Sequence, residues 1–189
     1  STQELSTLVL SRISSRIRGG VTTLEVKSGY GLSVEEELRH LEILNKMKES
    51  TCAKIVVTCL ACHALPEDVS STKAYLDMMT QELLPEVIKG DLAQYVDIFI
   101  ERGYFSAEES RNFLEVSQQL GLGLRIHADE FSRSGGAQLA AELKAASADH
   151  LQCSSFEDFT KMAEAGVVAT ILPGTSLYTK LPFTPAKPI

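Results

Sequence analysis

Hydrophobic and polar positions along this chain alternate between two textures. Short runs rich in Val, Ile and Leu are followed by longer stretches whose apolar residues recur every three to five positions, the mark of successive strand and helix units. Thr2–Gly19 opens the chain with Leu5, Leu8, Ile13 and Ile17 near helical spacing, and the pair Gly19-Gly20 stops it. Apolar runs then predict strands at Val21–Val26, Lys54–Leu60, Tyr95–Ile100 and Leu122–Ile126, a short one at Ala146–Ala148, and a last one at Val167–Leu172. The helices between them carry start signals: capping boxes are expected at Ser33-Val34-Glu35-Glu36 and Ser106-Ala107-Glu108-Glu109, and a helix is expected from Ser71 through Val87. The strand runs are apolar nearly throughout, as strands covered on both faces must be.

Six consecutive βα units predict an α/β fold with a parallel sheet, and favour a partial (β/α)8 or TIM barrel over an open doubly wound sheet. Six units are two short of the full barrel, which typically takes about 250 residues, whereas this chain has 189. The last stretch, Lys180–Ile189, holds Pro182, Pro185 and Pro188 and ends without a helix or polar tail, as a cut inside a loop would.

Composition narrows the class. With 44% apolar and 23% charged residues, the chain is expected to fold around a packed core. Its 18 basic and 25 acidic residues give a net charge of −7 with no basic cluster able to follow a phosphate backbone, so nucleic acid is not an expected partner. No run reaches the ~18 apolar residues of a membrane span and no signal peptide is visible, which makes the cytoplasm the expected address and leaves the membrane out as a partner. Cys59-Leu60-Ala61-Cys62 forms a lone CxxC, expected to be small core residues in and just after a buried strand and not a metal knuckle.

In parallel α/β folds the chemistry collects at the carboxyl ends of the strands. Lys27 and Tyr30 follow the first predicted strand, His63 the second, Glu101 the third, His127 and Glu130 the fourth, and Asp149 and His150 the fifth. Three of the four histidines thus fall on one rim, and they become neighbours if the sheet curls; neutral imidazole is the commonest ligand for zinc and a common one for iron. His40, inside a polar helix, is expected to have no role. In Arg125-Ile126-His127-Ala128-Asp129-Glu130-Phe131, His127 and Glu130 can face one pocket, while Asp129 suits a cap for the following helix. Lys27 opens a rival chemistry, since a buried strand-end lysine is a Schiff-base nucleophile, but Glu25 shares its strand parity and could keep the amine charged. Gly29/Gly31 and Gly135/Gly136 match no dinucleotide or phosphate-loop fingerprint.

Taken in order, Thr22-Thr23-Leu24-Glu25-Val26-Lys27-Ser28-Gly29-Tyr30-Gly31-Leu32, Cys62-His63-Ala64-Leu65-Pro66-Glu67, Ile126-His127-Ala128-Asp129-Glu130-Phe131, Ser147-Ala148-Asp149-His150-Leu151 and Leu172-Pro173-Gly174 resemble the imidazolonepropionase family of amidohydrolases. The resemblance implies a metal-dependent hydrolase barrel with one zinc or iron ion, opening the cyclic amide 4-imidazolone-5-propanoate to N-formimino-L-glutamate. It assigns His127 as a metal ligand, Tyr30, His63 and Glu130 as substrate contacts, and Glu130, His150 and His63 as the catalytic groups. It also implies a homodimer when the protein is full length. The family's HxH pair and its late aspartate ligand have no counterpart here. Residues 1–189 therefore read as the central part of a single barrel domain, about strands two to seven, without the first and eighth strands or a small β-domain. One histidine at a site that needs about three ligands predicts that this stretch alone does not catalyse efficiently. The alternatives are another amidohydrolase, such as a cyclic amidine deaminase, or a barrel that is non-catalytic or uses Lys27.

Overall fold

The computed structural model describes residues 1–69 and 71–185, so the end of the Pro-rich stretch lies outside the described residues. A 17-residue helix α1 (Thr2–Arg18) precedes strand β1 (Thr23–Lys27). Strands β2 (Lys54–Cys62), β3 (Tyr95–Ile100), β4 (Gly123–Ala128), β5 (Ser147–His150) and β6 (Val168–Thr170) follow in chain order. All pair in parallel with their sequence neighbours, giving one sheet in the order β1-β2-β3-β4-β5-β6.

The helices between them are α2 (Val34–Met47), α3 (Thr72–Met78), α4 (Leu84–Lys89), α5 (Ala107–Gln119), α6 (Gly136–Glu142) and α7 (Phe156–Ala165), with α8 (Pro173–Thr179) last. A π turn at Met79–Leu83 joins α3 to α4, so the helix expected from Ser71 to Val87 runs on with one wide turn. Ser33, Ser71, Ser106 and Ser155 each accept a backbone N–H three residues on, which satisfies one of the free donors of a helix start. The two expected capping boxes are half formed: Glu36 turns to Arg39 and Glu109 to the Ser106 and Thr72 hydroxyls. Complete boxes stand at Ser1/Glu4 and Ser155/Asp158.

Strand parity divides the sheet into two faces. Val96, Ile98 and Ile100 of β3 and Leu124, Ile126 and Ala128 of β4 are buried against the helices. The opposite face carries Glu25, Lys27, Asp97, Arg125, His127 and Asp149, so the strands are not apolar throughout, and the inner wall is charged. Cys59 and Cys62 are buried free cysteines, as expected of small core residues.

The curl of the sheet follows from one contact. β1 and β5 are four strands apart, roughly 19 Å across a flat sheet at ~4.8 Å per strand. Yet Lys27 Nζ on β1 lies 3.3 Å from Asp149 Oδ2 on β5. Only a sheet bent into a trough, as in part of a (β/α)8 barrel, brings these side chains together.

Candidate active site

β1, β2, β4 and β5 end later than the apolar runs suggest, β3 ends at Ile100 as expected, and β6 stops at Thr170, short of Leu172. β4 extends through His127 to Ala128 and β5 through Asp149 to His150, because the ladder pairs Phe99 with His127, His127 with Asp149, and Ala128 with His150. Phe99, His127 and Asp149 thereby form one layer across the trough.

Two residues reach that layer through local irregularities. Between Cys59, opposite Val96, and Cys62, opposite Ile98, β2 carries one extra residue. Without this bulge His63 would fall in line with Ile100 and face the helices; with it, His63 is in line with Phe99 and faces the trough. Its ring lies 5.6 Å from Phe99, nearly parallel, and 5.8 Å from His127. His150, paired with Ala128, would likewise face the helices by parity. Its backbone instead takes φ +78° and that of Leu151 +63°, a conformation costing about 1–3 kcal/mol for a residue with a Cβ. The turn brings the His150 ring to 5.2 Å from His127.

Electrostatics sets these groups apart. Burial, together with the neighbouring His127, drives His150 down to about 4, so its ring is neutral near pH 7. Burial also lowers His63 and raises the Glu130 carboxyl. Glu130 Oε1 faces His150 Nδ1 at 3.5 Å, and that buried nitrogen has no hydrogen-bond partner among the described residues. His127 goes the other way: burial disfavours its charge, but Asp97 outweighs it and the ring is raised. Asp97, despite complete burial, is held down to about 2 by His127 and Lys27.

Lys27 brings a cation to this layer of the trough. Its Nζ donates to Asp97 at 2.7 Å and to Asp149 at 3.3 Å, and Glu25 stands at 3.6 Å. Burial alone would favour the neutral amine, but these carboxylates raise its pKa, which removes the basis for a Schiff-base lysine. One layer below, Arg125 Nε pairs with Glu25 at 2.8 Å without hydrogen-bond alignment, and Nη1 donates to Ser147.

The loop carrying Glu130 is tied from both sides. Glu101 accepts the backbone N–H groups of Phe131 and Ser132 and the Ser132 hydroxyl. Asp129 accepts the N–H groups of Ser134 and Gly136 and so caps α6, the role expected of it. Tyr30 stands at the mouth, 74% exposed, with its ring 5.1 Å from His63. A cleft of roughly 510 Å³ opens here between α1 and the sheet, lined by Lys27, Tyr30, His63 and His127. His40 also lines it, so this histidine is closer to the site than its helical position suggested.

Ligand atoms of Asp97, His127 and Asp149 lie within 4.8 Å of one another. Asp97 has both oxygens engaged, whereas Asp149 Oδ1 is buried with no partner among the described residues. With His127 Nδ1 facing Asp97, Nε2 and Asp149 Oδ1 are donors of the kind a divalent zinc or iron ion takes, fewer than a closed site needs. Asp97 was missed by inspecting strand ends. Its signal was an acid in the middle of Tyr-Val-Asp-Ile-Phe-Ile, an otherwise apolar strand.

No protein-family model matches the chain. It is 44% identical over 174 residues to the imidazolonepropionase of Desulfotalea psychrophila, covering 92% of this chain and 42% of that protein. It is 46% identical over 158 residues to that of Alkaliphilus metalliredigens (83% and 37% covered) and 41% identical over 188 residues to that of Caldanaerobacter subterraneus (99% and 45%). The chain spans less than half the length of these curated relatives. Among solved structures, an adenine deaminase from Arthrobacter aurescens aligns with TM-score 0.69 at 16% identity, over 95% of this chain and 55% of that one. An adenosine deaminase from Xanthomonas campestris with bound zinc gives 0.67 at 15% identity (98% and 43% covered). A guanine deaminase from C. acetobutylicum gives 0.63 at 13% (96% and 50%). These likenesses are of fold: six parallel strands as part of a (β/α)8 barrel.

Proposed function

We propose that this chain is the central barrel segment of an imidazolonepropionase, the hydrolase that opens 4-imidazolone-5-propanoate to N-formimino-L-glutamate, working in the intact protein as a cytoplasmic homodimer. The observation that carries the reading is the convergence of His63, His127, Glu130 and His150, far apart in sequence, on one trough in a chain 41–46% identical to proteins of that name. His127, with Asp149 beside it, would hold a single zinc or iron ion together with ligands from the rest of the protein. Bound there, the ion supplies Lewis-acid activation of water.

The residues of this chain divide the remaining work. Water adds to the ring carbonyl carbon and the ring C–N bond breaks. Glu130, whose carboxyl is raised toward the working pH by burial, takes the proton from water and returns it to the departing ring nitrogen. Neutral His150, facing Glu130, assists that transfer. His63, also kept neutral, donates to the carbonyl oxygen as negative charge gathers there, and Tyr30 orients the substrate at the mouth.

The test is hydrolysis of 4-imidazolone-5-propanoate by the full-length protein, with metal content measured alongside. Glu130→Gln is expected to lose about 10²–10⁴-fold in kcat with metal retained, and His127→Ala to lose both metal and activity. A folded, metal-loaded protein without turnover would refute the substrate and point to another cyclic amide or amidine.

A further inference from the structure

Reading His127 as a metal ligand leaves open what holds its ring, and the following inference rests on that reading. Asp97 lies in the middle of β3, and its side chain is wholly buried. Oδ1 sits 2.9 Å from His127 Nδ1, while Oδ2 accepts from Lys27 Nζ at 2.7 Å. Lys27 is in turn braced by Asp149 and Glu25. A carboxylate in this position accepts the Nδ1 proton in either charge state of the ring. Nδ1 is then closed to a cation and Nε2 becomes the one nitrogen available to it.

We propose that Asp97 is a positioning residue, which with Lys27 as its counter-charge fixes the tautomer and orientation of His127, and that Asp97 does not itself ligate the ion despite its place in the Asp97, His127 and Asp149 cluster. The reason is occupancy and charge. A cation at Asp97 Oδ2 would have to displace the Lys27 ammonium, which three carboxylates hold there, and lie against its positive charge. At Oδ1 it would have to displace the imidazole proton. Asp149 differs, because its Oδ1 has no hydrogen-bond partner among the described residues. The arrangement is a carboxylate and imidazole pair behind a metal ligand, extended by a buried lysine that neutralises the carboxylate.

The experiment compares the full-length wild type with Asp97→Asn and the charge-balanced Asp97→Asn/Lys27→Met. Zinc affinity is measured by competition with a chromophoric chelator, and the His127 tautomer by long-range ¹H–¹⁵N spectra of the metal-free protein. In Asp97→Asn the amide must either turn its NH2 toward Lys27 or face His127 with a donor. Zinc affinity is expected to fall about 10–100-fold, as for other partners of metal-bound histidines, and the tautomer to become mixed. In the double variant the amide oxygen can face Nδ1–H and its NH2 the space Lys27 leaves. Affinity is then expected to return to within about threefold of wild type, with the Nδ1–H tautomer restored.

An unchanged affinity in Asp97→Asn overturns the proposal. So does a double variant that folds but fails to regain zinc, the behaviour of a direct ligand, because a neutral amide cannot replace a ligating carboxylate. If Asp97→Asn does not fold, the double variant alone decides between these outcomes. A wild-type protein that binds no zinc, iron or other divalent ion fails differently: it removes the reading of His127 as a ligand.

Discussion

Asp158→Asn tests how the site loop is anchored. Asp158 lies in the first turn of α7 with its side chain fully buried, and one carboxylate serves three elements. Oδ2 accepts from Arg133 Nε at 2.8 Å and from the Ser155 backbone N–H and hydroxyl. Oδ1 accepts from Arg133 Nη2 at 2.9 Å and from the Gln138 amide at 3.1 Å. Arg133 follows the segment that carries Glu130, so this cluster ties that loop and α6 to α7. An asparagine can keep the Ser155 cap only by pointing its NH2 at Arg133 and Gln138. It thus loses two accepted bonds and the charge. Arg133 is half exposed, so water screens part of its attraction. A cost of about 2–3 kcal/mol follows for the buried remainder, or roughly 4–12 °C in Tm for a domain of this size.

The pH dependence sharpens the test. Although burial opposes the charge, the bonds from Arg133, Ser155 and Gln138 hold the folded carboxyl well below the usual carboxylate range. A depressed folded pKa contributes stability that is full above the unfolded value of about 3.9 and is lost as pH falls below it. Urea unfolding of wild type and variant should therefore give a constant gap from pH 7 to about 5. Below about pH 4 the gap should close, approaching ~1.4 kcal/mol per pH unit. A gap under about 0.5 kcal/mol at pH 7, the size of an ordinary surface change, or one that stays constant down to pH 3, would refute the anchoring role.

Two further outcomes are expected. A Cβ on Gly136 would meet Ala128 Cβ at 2.8 Å and Ala128 Cα at 3.0 Å, so Gly136→Ala should destabilise by about 1–3 kcal/mol as α6 is pushed off β4, checked by denaturant unfolding; an unaffected midpoint would contradict this packing. Borohydride with carbonyl compounds should trap no adduct at Lys27, because its amine is held charged by Asp97, Asp149 and Glu25; a reduced adduct mapped to Lys27 by mass spectrometry would restore the Schiff-base chemistry.

The order of βα units, the existence of every strand and the buried Cys59 and Cys62 were legible in the sequence, since apolar periodicity and cap residues are local signals. So were Tyr30, His63, His127, Glu130 and His150 as candidates, through their places after apolar runs and the ordered motifs. Tertiary structure decided what those residues face. Lys27 and Asp149, 122 positions apart, meet because the sheet curls, and no local pattern encodes curvature. The extra residue in β2 and the left-handed backbone at His150 each reverse the side that parity assigns, and both depend on pairing with neighbouring strands. Asp97 looked like a lone acid in an apolar strand until the fold set Lys27 on one of its oxygens and His127 on the other. Periodicity says which residues are buried; only the curled geometry of the trough says which buried charges become partners.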